Sequence, residues 1–301
     1  MLAQKLQHEI TQRLEKGVYF DLFNASSRYH QTILTSISRN VATSGYLTHL
    51  PTEPAYRIGD DSLRLAIRSR LGMLPYDHLR DEQCEGCKRS LLATPAFADN
   101  PDHFHSCGHT AGRSVTQRHD QLKHALAKLA RSVGFVVIVE PKFPATFTHH
   151  IDAATGHSSL TALKTDERGD LLLIRHDKKL LVDIRVCRPT CLSELQRSDK
   201  GNREPLITAA AHEKLKHRKY DKECQKHGWT FVPFVLETYG GMGKEAQKLL
   251  TVLADACDTL PSLAFLTHAR AVLSVTLQCG HAAVSQQGMT SWSTRQHARE
   301  R

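Results

Sequence analysis

Three cysteines and a group of histidines between residues 84 and 109 have the types and spacing of a zinc site. Cys84-Glu85-Gly86-Cys87 sets two thiolates on a tight turn, where Gly86 lets the backbone curl so that both sulfurs reach one ion. After fifteen residues, His103-Phe104-His105-Ser106-Cys107 offers an imidazole and a third thiolate. Cys84, Cys87, His103 and Cys107 would complete a tetrahedral shell, with His105 and His109 as rivals for the third place. A closed shell leaves no position for substrate, so the expected role of Zn²⁺ is structural.

A second set of residues has the chemistry of a divalent-cation site. Asp183 lies inside the apolar run LLVDIRV, where an unpaired carboxylate costs several kcal/mol, so it needs a partner. Asp170 opens the preceding apolar run, DLLLIRH. If Asp177 and Lys178 form a two-residue turn, Leu172 faces Asp183 and Asp170 faces Arg185. Asp170 and Asp183 are then diagonal neighbours on one sheet face, about 7–8 Å apart at Cα, close enough to share a cation. A turn with one extra residue would separate them onto opposite faces. The structural alternative is that Asp183 pairs with Arg185 or a neighbouring strand while Asp170 ends a turn. Downstream, Lys214, Lys216, Arg218, Lys219, Lys222 and Lys226 crowd one segment. A lysine aimed at the carboxylates would orient a water and offset charge on a phosphate; the remainder read as a solvated basic face.

The elements that must hold these residues follow from periodicity. Residues 1–83 read as helical with turn breaks, and Asp60 or Asp61 as a helix cap. Ser114 is the expected N-cap of a helix with Leu122, Leu126 and Leu129 on one face, ending near Gly134. FVVIVE (135–140) reads as a buried strand, and the polar stretch that follows, to Gly169, as a long loop or insertion. The two apolar runs around Asp177 form a hairpin. A helix over 205–227, the strand WTFVPFVLE, the turn TYGGMG and a helix from 244 complete the order helix, three strands, helix, strand, helix. The expected fold class is α/β with a mixed sheet. The expected domains are a helical connector (1–83), a zinc module (84–113), an α/β core (114–256), and a helical extension with a mobile polar tail from about 285 (257–301).

Composition sets the class of partner. Lys and Arg number 40 against 31 Asp and Glu, a net charge of +9 that favours a polyanion. The apolar runs are far shorter than the roughly 20 residues of a membrane span, and the first residues lack the apolar segment of a secretory signal, so neither membrane insertion nor export is expected. Of the eight cysteines, only Cys84, Cys87 and Cys107 cluster with histidines, which favours metal over disulfide.

The segment from Cys84 to about Glu245 resembles the C-terminal region of non-LTR retrotransposon polyproteins, in which a Cys-Cys-His-Cys zinc motif precedes a restriction-enzyme-like endonuclease of the PD-(D/E)xK superfamily. The matching residues are the four zinc ligands, the triplet Arg118-His119-Asp120, Arg168-Gly169-Asp170 where the family has Arg-Pro-Asp, Asp183-Ile184-Arg185 as the second acidic motif, and Lys216, Lys219 and Tyr220 as a displaced lysine motif. The resemblance implies a restriction-endonuclease-like core that cuts DNA with Mg²⁺ or Mn²⁺. In it Asp170 and Asp183 hold the metal, Lys216 assists the attacking water and Arg118 contacts phosphate, with Glu140 as a further carboxylate. Lys214, Lys219, Tyr220 and Arg185 would meet nucleic acid, either DNA or element RNA. A reverse transcriptase portion of the same element is the implied partner, absent here since no polymerase motif is present; the chain is then a fragment or a derived gene, and its implied location nuclear. The alternatives are a zinc-containing nucleic-acid-binding remnant with an inactive nuclease fold, and a nuclease using the histidines of residues 103–119.

Overall fold

The computed structural model describes residues 2–37, 44–76, 92–94, 97–99, 103–107, 112–144, 146–151, 158–163, 168–191, 193–195 and 205–299. Cys84 and Cys87 lie outside them. In chain order the elements are α1 (Leu2–Ala25), α2 (Arg28–Ile37), α3 (Gly45–Thr48), α4 (Asp60–Arg70), β1 (Leu92–Thr94), β2 (Phe97–Asp99), α5 (His103–Ser106), α6 (Gly112–Ser132), β3 (Val136–Val139), β4 (Thr146–Ile151), β5 (Ser158–Leu163), β6 (Leu171–Arg175), β7 (Lys178–Cys187), α7 (Ile207–Lys226), β8 (Thr230–Glu237), α8 (Lys244–Asp255) and α9 (Ser262–Arg299).

The central sheet is mixed and four-stranded, in the order β3-β6-β7-β8, antiparallel except for the parallel pair β7–β8. Parallel neighbours need a crossover, and α7 supplies it. The fold is therefore α/β with a mixed sheet, as expected. Pro233 sits in β8, where an edge position tolerates the missing N–H.

Side-chain alternation divides the core in two. Leu171, Leu173, Val182, Ile184, Phe234 and Leu236 face α6, α8 and α9, whereas Leu172, Leu181 and Phe231 face Tyr220 and Cys224 of α7. The apolar stripe of α6, Leu122, Leu126 and Leu129, enters the first layer as its spacing requires. Both α6 and α7 end on a left-handed glycine, Gly134 and Gly228, followed by a residue whose N–H returns to the helix: Phe135 to the Ala130 carbonyl at 3.1 Å and Trp229 to that of Cys224 at 2.9 Å. Each helix is thereby turned directly into the next strand.

Several expectations change on the structure. The β6–β7 turn consists of His176 and Asp177, with Arg175 paired to Lys178, because His176 takes the left-handed conformation (φ 54°) that a two-residue hairpin turn demands. The turn is one residue earlier than expected, which shifts the register by two residues and returns every side chain to its expected face. The stretch read as a long loop contains an antiparallel hairpin, β4–β5. β3 is an edge strand and not a buried one: Val136 and Ile138 remain exposed. Helix α6 begins at Gly112, so Ser114 lies inside it and is buried. Gly59 occupies the cap position of α4; Asp60 and Asp61 fill its first turn, where their charge suits the helix dipole.

The largest difference is at the C-terminal end. The polar stretch from 285 continues α9 as far as Arg299. This helix runs beside α6 and also meets α3, α4, α5 and α8. Two glycines permit the close approach: a Cβ at Gly280 would lie 2.6 Å from Arg118 Cγ and 3.3 Å from its Cα, and one at Gly288 would lie 2.6 Å from the Phe104 ring. The N-terminal helices are tied to the same body by Tyr29 Oη to Tyr239 Oη at 3.2 Å, by a bond from Ser36 Oγ to Glu237 Oε2, and by the Tyr46 N–H to Ser274 Oγ at 3.2 Å. Burial pushes the Glu237 carboxyl up, and it is held by the Ser36 hydroxyl and the Ala209 N–H. No helix among the described residues is long and apolar enough to cross a membrane.

Replacing a helical glycine by alanine ordinarily adds up to about 1 kcal/mol of stability. At Gly280 the added methyl meets the backbone of α6, and overpacking of about 1–3 kcal/mol outweighs that gain. Gly280→Ala is therefore expected to lower the urea unfolding midpoint, while Gly17→Ala, whose Cβ meets nothing within 4 Å, leaves it unchanged or raises it. Equal shifts in the two variants would show that α9 does not pack this closely on α6.

Candidate functional site

Asp183 is the third of four consecutive buried residues on a central strand, between Val182 and Ile184, and only 6% of it is exposed. Its carboxylate does not go unpaired. Lys216 Nζ forms an ion pair with Oδ2, and Tyr220 Oη donates to Oδ1 at 2.8 Å. Both partners come from α7, which packs on this side of the sheet. Breaking a buried pair of this kind costs about 3–5 kcal/mol because one charge is left behind. Arg185, the nearer candidate partner by sequence, is exposed and further along the strand.

Asp170 lies one step beyond the last β6–β7 ladder pair, Leu171 with Val182, and so stands beside Asp183 directly rather than diagonally. Its N–H donates to the Val182 carbonyl at 3.0 Å. Because β6 begins only at Leu171, the Ile184 N–H has no strand partner on that side, and Asp170 Oδ2 accepts it at 2.6 Å. Asp170 Oδ1 meets His119 Nε2 at 2.9 Å. The two carboxylates thus adjoin at one sheet end, held from opposite layers by α6 and α7.

An ion network flanks Asp170. Lys123, one turn beyond His119 on α6 and buried, donates to Asp120 Oδ1 at 2.9 Å and Glu140 Oε1 at 2.7 Å. Arg168 Nη1 reaches Glu140 Oε2 at 3.2 Å. Glu140 adopts φ 51°, uncommon for a residue with a Cβ, and its N–H donates to the Asp170 carbonyl at 2.8 Å. The Lys123 ammonium holds the Glu140 and Asp120 carboxyls below the usual range. Burial alone would lower Lys123, but its two carboxylate partners outweigh that and raise it.

The expected residues fall into three groups. Asp170, Asp183 and Lys216 come together, and Lys214, Lys219 and Arg185 are exposed where a polyanion can reach them. Two others lie in the interior. Arg118, expected at a phosphate, is buried against Gly280 of α9, since its side chain falls on the packed side of α6. Tyr220, expected at nucleic acid, is buried with its ring 4.8 Å from Phe231 and its hydroxyl on Asp183. Lys123 was not singled out by sequence, although a lysine directly following Leu122 on an apolar face was the available signal.

His103 and Cys107 are both buried at the single turn of α5, the Cys107 N–H donating to the His103 carbonyl at 3.0 Å. His105 is committed elsewhere: Nε2 lies 3.1 Å from Ser285 Oγ, and its ring stacks on His281 at 3.7 Å. Burial, reinforced by His281, Arg118 and Arg188, pushes its pKa well down. Cys84 and Cys87 lie outside the described residues.

The chain matches no protein-family model and no curated protein.

The hydrogen bond to Asp170 raises the His119 pKa, with burial opposing it. A raised histidine contributes stability that is complete below its unfolded value of about 6.5 and lost as pH climbs through the higher folded value. The difference in urea midpoint between the parent and His119→Ala is therefore expected to narrow from pH 6 to pH 9. A constant difference across that range would mean that folding leaves the His119 pKa unshifted.

Proposed function

We propose that the chain is a metal-dependent DNA endonuclease domain of retrotransposon origin, hydrolysing phosphodiesters at a target site. The observation that carries this reading is the ion pair between Asp183 and Lys216, with Asp170 adjoining on the same sheet end. A carboxylate pair with a lysine beside it is the combination that phosphodiester hydrolysis asks for, and, with the separate β4–β5 hairpin as an insertion, the order helix, three central-sheet strands, helix, strand, helix is compatible with the restriction-endonuclease-like core that the sequence resembles.

The donors suit Mg²⁺ or Mn²⁺. Asp170 and Asp183 offer hard oxygens, and each carboxylate oxygen keeps a lone pair beyond the hydrogen bond it already accepts. Among the described residues no three His, Cys, Asp or Glu side chains gather into a cage. Mg²⁺ is the ion that tolerates this, since it commonly takes one or two carboxylates and fills its shell with water and phosphate. When bound, the cation polarises the phosphodiester and offsets its developing charge.

The chain's own groups do the rest. Lys216 carries three N–H donors, so it can hold Asp183 with one and orient a water with another. Its charge also offsets that of the phosphate. Asp170 is fixed by Ile184 and His119, which sets the edge it presents. The exposed Lys214, Lys219, Arg218, Lys222 and Arg185 supply a salt-sensitive attraction for DNA, and for element RNA as a second polyanion. Cys84, Cys87, His103 and Cys107 hold a structural Zn²⁺, a reading supported by the engagement of His105 with α9. A nuclear location and a reverse transcriptase of the same element as partner belong to this reading.

Nicking of supercoiled plasmid with Mg²⁺ or Mn²⁺ tests it. Asp170→Asn and Asp183→Asn should each lower the rate by roughly 100-fold, about 2.7 kcal/mol of barrier, in assays run below the melting temperature of each variant, which Asp183→Asn lowers by leaving Lys216 without its counter-charge. Nicking that survives Asp183→Asn, or no nicking by the parent, overturns the assignment; zinc and DNA binding without nicking identifies the inactive form. For zinc, metal analysis should find close to one ion per chain, lost in Cys107→Ser and His103→Ala and retained in His105→Ala. Loss in His105→Ala with retention in His103→Ala would exchange the two histidines.

A further inference from the structure

Lys216 and Tyr220 are four residues apart on α7 and so lie on one face of the helix. They engage the two oxygens of a single side chain: Lys216 Nζ takes Asp183 Oδ2, and Tyr220 Oη takes Oδ1. We propose that Tyr220 is a positioning residue of the cleavage site, whose hydroxyl fixes one oxygen of Asp183 and thereby turns the other toward Lys216. This rests on the nuclease reading above and goes beyond it.

The argument begins with the aspartate torsion. The terminal rotation of an Asp carboxylate has broad, roughly two-fold wells, so a single partner leaves its plane free to swing. A second partner stops that rotation only if it is itself rigid. Tyr220 meets this condition: it is 2% exposed, its ring packs on Phe231 at 4.8 Å, and the same cluster includes Phe143, Leu172 and Leu181. The hydroxyl is further tied. It lies 3.2 Å from the Arg168 carbonyl, in the turn that leads into Asp170, and accepts from Lys219 Nζ at 3.1 Å. One side chain therefore relates the Asp170 turn, Asp183 and the helix carrying Lys216. A phenol also suits the task better than an ammonium, since it directs the carboxylate without adding a second charge that would compete with a cation.

Tyr220→Phe separates positioning from packing, because the ring and its contact with Phe231 are kept. The melting temperature is expected to stay within a few degrees. Direct Mn²⁺ binding, followed by water-proton relaxation without any substrate, should weaken about tenfold, as expected for losing a hydrogen bond to a charged group. In the nicking assay the Mn²⁺ concentration for half-maximal rate should rise by a similar factor. If Tyr220→Phe binds Mn²⁺ and cuts as the parent does while Asp183→Asn does neither, Tyr220 is only a core residue and the nuclease reading stands. If the parent binds Mn²⁺ but never cuts, the nuclease reading falls and the binding comparison alone decides Tyr220. If the parent binds no Mn²⁺ at millimolar concentration, both fall.

Discussion

The interaction on which the rest of this structure turns is the burial of Asp183 on a central strand. A carboxylate there is tolerable only with its charge answered from the same side of the sheet, and α7 answers it with Lys216 and Tyr220. That requirement locates α7 over β7 and β8, and the parallel pairing of those strands makes α7 the crossover between them. The site and the topology are consequences of one another.

The opposite layer is built differently. Helix α6 presents Leu122, Leu126 and Leu129 to the sheet, yet beside them it carries His119 and Lys123, whose polar ends reach past the sheet edge to Asp170 and Glu140. The neck between β3 and β6 is thus held by charge where the strands run out of ladder bonds. The left-handed Glu140 fits this account: its N–H returns to the Asp170 carbonyl while its carboxylate bridges Lys123 and Arg168. Strain at one residue is offset by three polar contacts converging on it.

Behind α6, α9 closes the molecule. Its glycines at 280 and 288 admit Arg118 and Phe104 to within side-chain contact, and His281 and Ser285 between them engage His105. The turn carrying His103 and Cys107 is therefore seated on the same helix that supports the first helix of the core. Two candidate sites that are distant in chemistry share one support, so their relative placement is set by helix packing.

Much of this was legible in the residues alone. The stripe of α6, the hairpin of β6 and β7, the α/β order and the need of Asp183 for a partner all follow from local periodicity and from the cost of burying charge, which depend on near neighbours in the chain. Asp170 and Asp183 kept their shared face even though the turn fell one residue early, because a two-residue register shift preserves side-chain alternation. What local pattern could not decide was which of several similar groups would be chosen. Lys216 rather than Arg185 meets Asp183, Arg118 turns inward to Gly280, Tyr220 leaves the surface for the core, and the polar stretch after 285 stays helical against Phe104 and His105. Sequence alone determined that this chain carries a buried acidic strand and a helix rich in lysine. Only the tertiary structure selected the partners, because that choice depends on distances across the sheet and between helices remote in the chain.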